Sequence, residues 1–251
     1  MSRRDRIRAL LKAIETGDPA AVEVVNEAKY IQHNPQTHEG SEGLASLFAR
    51  LAKTNPRVNI VRAFEDGDFV FGHTEYDFST RRIGFEVFRF EGEHAVEHWD
   101  NIQPRLGPNG SGRSMVDGPV DASDLGLTEE NRATARNFVT DVLIGREHAK
   151  FPDYVDAGLI QHDPDLTDGI DAWQQALAAR SGDQPVHQYD TLHRVLAEGD
   201  FVLCVCEGYR EGAHASFYHM FRLAEGRIAE HWNTVEKVPP RSAWKNDNGK
   251  F

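Results

Sequence analysis

Cysteine is nearly absent: the 251 residues contain two, Cys204 and Cys206. That excludes a disulfide scaffold. The two stand two apart in a strand-like run, where the pleat points both thiols the same way and makes a bridge between them awkward, so they are expected to be reduced core residues. No apolar run is long enough to span a bilayer. The first seven residues are basic but lack the apolar core of a signal peptide and carry Asp5, so they are expected to start a helix in a cytoplasmic protein. Positive charge is also in deficit, with 28 Lys and Arg against 40 Asp and Glu and a formal net charge of −12. Such a chain repels phosphate backbones and anionic lipid, which argues against nucleic-acid and membrane partners. Finally, the twelve histidines raise a metal reading, but no two of the six candidate ligands that follow stand at His-x-x-x-His spacing. His33, His38, His73, His98, Glu75 and Asp100 are conceivable ligands, but at these spacings neither a metal nor another cofactor is expected.

What is present is a repeat. Glu97-His98-Trp99-Asp100-Asn101 returns as Glu230-His231-Trp232-Asn233-Thr234, and Ile31-Gln32-His33-Asn34-Pro35 returns as Ile160-Gln161-His162-Asp163-Pro164. The shift is 129 from 31 to 160, 132 from Gly67 to Gly199, and 133 from Phe88 to Phe221. Ordered matches with so small a drift mean one framework used twice. The expected domains are 1–104 and 128–239, joined by a Gly- and Pro-rich linker at 105–127 and followed by a polar tail at 240–251 that laps over the surface.

Within the first copy, Ser2 is placed to cap a helix with Ile7, Leu10, Leu11 and Ile14 on one face, ending at Gly17. Asp18-Pro19 starts a second short helix over 20–28, and a third covers 42–53. Alternating β-rich runs follow at 57–64, 68–78, 81–90 and 94–103, with tight turns at Asp66-Gly67 and Glu91-Gly92 that make them antiparallel neighbours. The second copy repeats the order: a helix capped by Thr128, a segment at 151–157, a helix at 170–180, then strands at 186–197, 200–210, 213–223 and 227–235. Three helices before a curved antiparallel sheet is an α+β plan, a conical pocket covered by helices.

In this order of elements, with its Tyr-Ile-Gln-His-Asn-Pro corner and closing His-Trp-Asp strand, the chain resembles the SnoaL-like polyketide cyclases, in particular the branch predicted to catalyse aldol condensations. That family lies within the nuclear-transport-factor-2-like superfamily, which also holds ketosteroid isomerases. The resemblance covers both copies and implies two helix-covered cones packed as an intramolecular pseudo-dimer through Trp99 and Trp232, with a homodimer as a further possibility. It also implies a metal-free general acid/base, which falls on Asp100, with His98 and His33 as companions.

The residues support the same chemistry independently. Proton abstraction beside a carbonyl needs a carboxylate whose pKa an apolar cavity has raised, and a histidine such as His33, His73 or His98 could stabilise the enolate. The first copy is therefore expected to react, as a cyclase, aldolase or isomerase acting on a small apolar carbonyl metabolite. A non-catalytic binding or dimerisation protein is the alternative. Tyr30, Asn34, His73, His162, Asp163, His231 and Asn233 are expected to line the two pockets. Glu207, Glu211, His214 and His219 are expected to form a solvated strand edge. One detail stays open: Asn34 and Asp100 in the first copy become Asp163 and Asn233 in the second. Either the acid has moved to the opposite wall, or Asp163 is an ordinary turn residue before a proline.

Overall fold

The computed structural model describes residues 1–16, 18–26 and 28–251. Gly17, the expected end of the first helix, and Glu27, inside the expected second, lie outside the described residues. The chain divides into two compact units, 1–105 with 239–251, and 106–238. Each carries a five-stranded sheet of the same order.

In unit 1, α1 (Arg3–Thr16) begins with a reciprocal cap: Ser2 Oγ accepts the Asp5 amide, and Asp5 Oδ2 accepts the Ser2 amide. Its Ile7, Leu10, Leu11 and Ile14 form one buried stripe. That stripe packs with Val70 and Phe88 on one face of the sheet. The expected second helix is a short 3-10 helix, Pro19–Val24, capped by the Asp18 carboxylate on the Ala20 amide. The β-branched run Val22, Val24, Val25 disfavours a longer helix, and Val25 bridges instead to Ala95. Then come β1 (Ile31–Gln32), α2 (Gly40–Ala52), β2 (Arg57–Asp66), β3 (Phe69–Asp77), β4 (Arg81–Glu91) and β5 (His94–Pro104). The sheet order is β1-β5-β4-β3-β2, antiparallel except for the short parallel β1.

Unit 2 repeats this plan. Its first helix, α3 (Thr128–Phe138), runs on as a π-turn to Ile144. Thr128 is the first helical residue and not the cap: its hydroxyl donates to the Leu125 carbonyl and accepts the Gly199 amide. After α4 (Phe151–Tyr154), β6 (Val155–Gln161) and α5 (Asp171–Ala178) comes a two-residue hairpin, β7 (Arg180–Ser181) and β8 (Gln184–Pro185). Then β9 (His187–Glu198), β10 (Phe201–Arg210), β11 (Ala213–Ala224) and β12 (Arg227–Lys237) complete the sheet. Its order is β6-β12-β11-β10-β9. Phe138 centres the core, its ring against Phe151, Trp173 and Phe221. Cys204 and Cys206 are buried free thiols in β10. Among the described residues no helix is long and apolar enough to cross a membrane.

The linker and the tail are both anchored by side-chain hydrogen bonds. The tail belongs to unit 1. Asn246 donates to the carbonyls of Asn34 and Thr37, and Asn248 to that of Gln32. The linker does the same in unit 2, where Asn109 donates to the carbonyls of Gln161 and Asp163. Buried carbonyls at a chain corner need donors, and asparagine side chains supply them. Gly118, at φ +98°, lies where a Cβ would come within 2.6 Å of both Trp232 and Glu230, so only glycine lets the linker pass there.

Candidate functional site

Alternation along β5 and β12 decides which residues can meet. In unit 1 the helix-side face carries His98 and Asp100 from β5 and Glu86 from β4, which is paired with Asp100 across the strands. Gln32 Oε1 accepts the Asn34 amide, which fixes that atom as oxygen, so it also accepts from His98 Nδ1 at 3.0 Å. His98 Nε2 faces Glu86 Oε2 at 2.8 Å, and the Tyr76 hydroxyl donates to Glu86 Oε1 at 2.8 Å. Gly84 makes room for this, since a Cβ there would sit 2.7 Å from the Tyr76 ring. Tyr30 lies stacked beside His98, and burial pushes its hydroxyl well above the ordinary range.

Asp100 is bonded on both oxygens. Asn34 donates to Oδ2 at 2.6 Å, and the buried Lys250 ammonium of the tail donates to Oδ1 at 3.2 Å. Burial alone would raise this carboxyl, but Lys250, His98 and Asn34 together bring it below its ordinary value. The sequence-based expectation of a raised carboxylate at Asp100 is therefore corrected: its cavity is not apolar, because the tail brings a cation into it. Glu86, His98 and Asp100 place three ligand-type atoms within 4.8 Å of one another, the spacing of a metal site. Lys250 already supplies the positive charge those carboxylates call for.

Two of the expected site residues of unit 1 lie on the other face. His33 follows the two-residue β1, in which Gln32 faces inward, so the next side chain faces out. It stacks on Trp99 at 4.6 Å, with Nε2 on Glu97 and Nδ1 on the Gly249 carbonyl. His73 packs edge-on against Phe85 and bonds Arg62. Neither shares a face with Asp100, so neither can assist it. In unit 2, His162 mirrors His33: it stacks on Trp232 at 4.7 Å and bonds Glu230 and the Ser114 carbonyl. His162 is thus also removed from the pocket residues.

On the helix side of unit 2 the same scaffold carries different groups and encloses a cavity of about 120 Å³, lined by Asp163, Trp173, His187, Tyr189, Arg210, His219 and Asn233 among others. Asn233 Nδ2 donates to Asp163 Oδ2 at 2.6 Å, the bond between Asn34 and Asp100 with the two residue types exchanged. Asp163 Oδ1 accepts the Asp165 amide. One side chain therefore closes the turn and faces the cavity, so the two readings of the swap are not exclusive. Burial raises the Asp163 carboxyl above its ordinary value, more than its hydrogen bonds to Asp165 and Asn233 lower it.

His219, expected at a solvated edge, is instead 1% exposed and part of this wall. Its Nδ1 meets His231 Nε2 at 2.9 Å, and His231 Nδ1 meets Gln161 Oε1 at 2.8 Å. Burial holds both imidazoles down, His219 to about 3. Tyr189 is buried beside Phe217, and its hydroxyl, raised by burial, bonds no other described residue. Glu207 and His214 do behave as a surface pair, with His193 as a third member.

Sequence reasoning missed Glu86, Tyr76, Lys250 and Tyr189. A lone carboxylate in Phe85-Glu86-Val87-Phe88 and a lone imidazole in Tyr218-His219-Met220-Phe221 were the available signals, since an apolar strand seldom buries such groups without use for them. Nothing local marks Lys250, 150 positions from Asp100.

The family model for the SnoaL-like domain matches residues 7–98. Residues 7–98 form a SnoaL-like domain. The match ends before Asp100 and leaves the second copy unmatched, so the kinship of unit 2 rests on the repeat and the shared sheet order. Among solved structures, the chain is similar to a proposed ketosteroid isomerase from Kribbella flavida (19% identity, TM-score 0.38, 45% of this chain and 84% of that one). It is also similar to IdmH, a proposed polyketide cyclase from Streptomyces antibioticus (16% identity, TM-score 0.37, 41% and 93%). No curated protein matches the chain in sequence.

Proposed function

We propose that the chain is a proton-transfer enzyme of the cyclase or isomerase type and that its reacting pocket is the cavity of unit 2, with Asp163 as the base. One observation carries this reading: a carboxyl raised by burial lines a cavity that also holds an uncommitted phenol. A general base works best when its pKa approaches the working pH, and desolvation is the usual means of raising a carboxylate. Asp163 would take a proton from the carbon beside a carbonyl; the C–H electrons form the enolate, and the new O–H bond resides on Asp163. Tyr189, kept protonated by burial, would donate to the enolate oxygen. Returning the proton to another carbon gives isomerisation, and attack of the enolate on a second carbonyl carbon gives aldol ring closure.

Unit 1 is best read as non-catalytic support, because the Lys250 ammonium on Asp100 helps to hold that carboxyl below its ordinary value and so makes it a weaker base than Asp163. The test is deuterium uptake from D2O at the α-carbon of cyclohexanone, hydroxyacetone and acetoacetate. Catalysed uptake by the wild-type chain, lost in Asp163→Asn, is expected. No uptake with any of the three, or uptake that survives Asp163→Asn, would remove the proposal.

A further inference from the structure

The hydrogen-bond chain behind the unit 2 cavity fixes the tautomers of its histidines. Gln161 Oε1 accepts the backbone amide of Asp163 at 3.1 Å, and an amide N–H can only donate, so this atom is oxygen. His231 Nδ1 must then carry the hydrogen it directs at the same oxygen, which leaves His231 Nε2 as an acceptor. The hydrogen between the two imidazoles therefore belongs to His219 Nδ1. A neutral imidazole carries one hydrogen, so His219 Nε2 is a bare lone pair. That nitrogen is buried and has no hydrogen-bond partner among the described residues. A buried acceptor left unsatisfied destabilises the protein, and here it belongs to a ring that forms part of the cavity wall. Across the strands His219 pairs with Asn233, the donor to Asp163.

We infer that His219 Nε2 is a specificity element that accepts a hydrogen bond from a ligand hydroxyl, so that the unit 2 cavity takes small hydroxylated molecules in preference to isosteres without a donor. This rests on the reading of that cavity as the working pocket and narrows its substrates to hydroxylated carbonyl compounds. Size narrows them further. An apolar cavity of about 150 Å³ holds one benzene, so about 120 Å³ admits a single small ring or a short chain and excludes a polycycle. Low positions of both imidazoles on the pH scale keep the relay neutral and the lone pair available near pH 7.

The experiment titrates the full chain, labelled with 15N-histidine, with phenol and with fluorobenzene near pH 7. In the free protein His219 should show a protonated Nδ1 and an unprotonated Nε2. Phenol should shift the Nε2 resonance and bind about three- to tenfold tighter than fluorobenzene, the worth of one net hydrogen bond. In His219→Phe that ratio should fall to about one. A protonated Nε2 in the wild-type spectrum, a phenol to fluorobenzene ratio of one, or no binding of phenol at all would overturn the inference, and the wild-type measurements decide it even where the variant does not fold. The two readings fail separately. Deuterium exchange without a phenol preference would sink the hydroxyl inference and leave the proton-transfer reading, whereas a phenol preference without exchange would uphold His219 and sink the chemistry.

Discussion

The two sheets hold equivalent amide–carboxylate pairs in opposite electrostatic states. Asn34 donates to Asp100 and Asn233 donates to Asp163, each at 2.6 Å, yet Asp100 is driven below the ordinary carboxylate range and Asp163 above it. The segment that covers each corner makes the difference. The tail brings Lys250 to Asp100, whereas the linker offers Asp163 only the Asn109 side chain, directed at its carbonyl.

Neighbouring positions follow suit. Glu86, opposite Asp100, becomes His219, opposite Asn233. Tyr76, opposite Val58, gives way to Gly208, opposite Tyr189, so the phenol has crossed to the adjacent strand. In unit 1 tyrosine, glutamate, histidine and lysine satisfy one another; in unit 2 the corresponding groups leave a phenol and an imidazole nitrogen for a ligand. A duplicated fold can thus keep its architecture while one copy spends its polar groups on internal bonds and the other keeps them available.

The largest expected effect separates the two carboxylates by activity. Asp163→Asn should slow α-deuterium exchange by about 100- to 10,000-fold, the range for loss of a general base, while Asp100→Asn should leave the rate within about threefold. Comparable losses would erase the distinction between the units. The wild-type rate should rise with pH through a value above 3.8, because Asp163 must be ionised to act.

Next in size is the buried ion pair. Lys250→Ala leaves Asp100 buried without its cation and should lower stability in denaturant unfolding by about 3–5 kcal/mol. Adding Asp100→Asn should recover part of that loss, and simple additivity of the two would show that the pair is not coupled.

Stability against pH sharpens the comparison further. The Asp100 carboxyl is lowered by folding, so it stabilises the fold above its unfolded value of 3.8 and that contribution disappears as pH falls through the folded value. Asp163 is raised, so its ionisation opposes folding at neutral pH, and Asp163→Asn should match or exceed the wild-type melting temperature at pH 7. His219 and His231 are lowered, so stability is undiminished above 6.5 and declines as pH falls from 6.5 towards about 3, where the unfolded chain binds protons that the folded one refuses. His219→Phe should flatten that decline in a series of thermal melts. The smallest effect lies far from either pocket: Ser2→Ala removes the cap on α1 and should cost about 1 kcal/mol.

Much of the fold was legible in the residues. Alternation in 57–104 and 186–237, punctuated by Asp66-Gly67 and Glu91-Gly92, located eight long strands to within a few residues, because period-two burial is a strong local signal. The corner was less legible. A two-residue strand is too short to show alternation, so His33 was placed beside Asp100 when the pleat sends it to the opposite face with Trp99. The exchange of Asn34 and Asp100 for Asp163 and Asn233 was readable as a pattern, but which carboxyl is raised was not. That depends on Lys250, whose approach to Asp100 is set by tail contacts at 246 and 248 that no local rule connects to β5.

The most direct test is a pH titration of the two carboxyl carbons by 13C NMR, with Asp100→Asn and Asp163→Asn used for assignment. Opposite displacements are expected, Asp163 above 3.8 and Asp100 below it, with Asp100 moving up when Lys250 is replaced by alanine. Equal values, or a raised Asp100 beside a lowered Asp163, would contradict the division of roles between the two units.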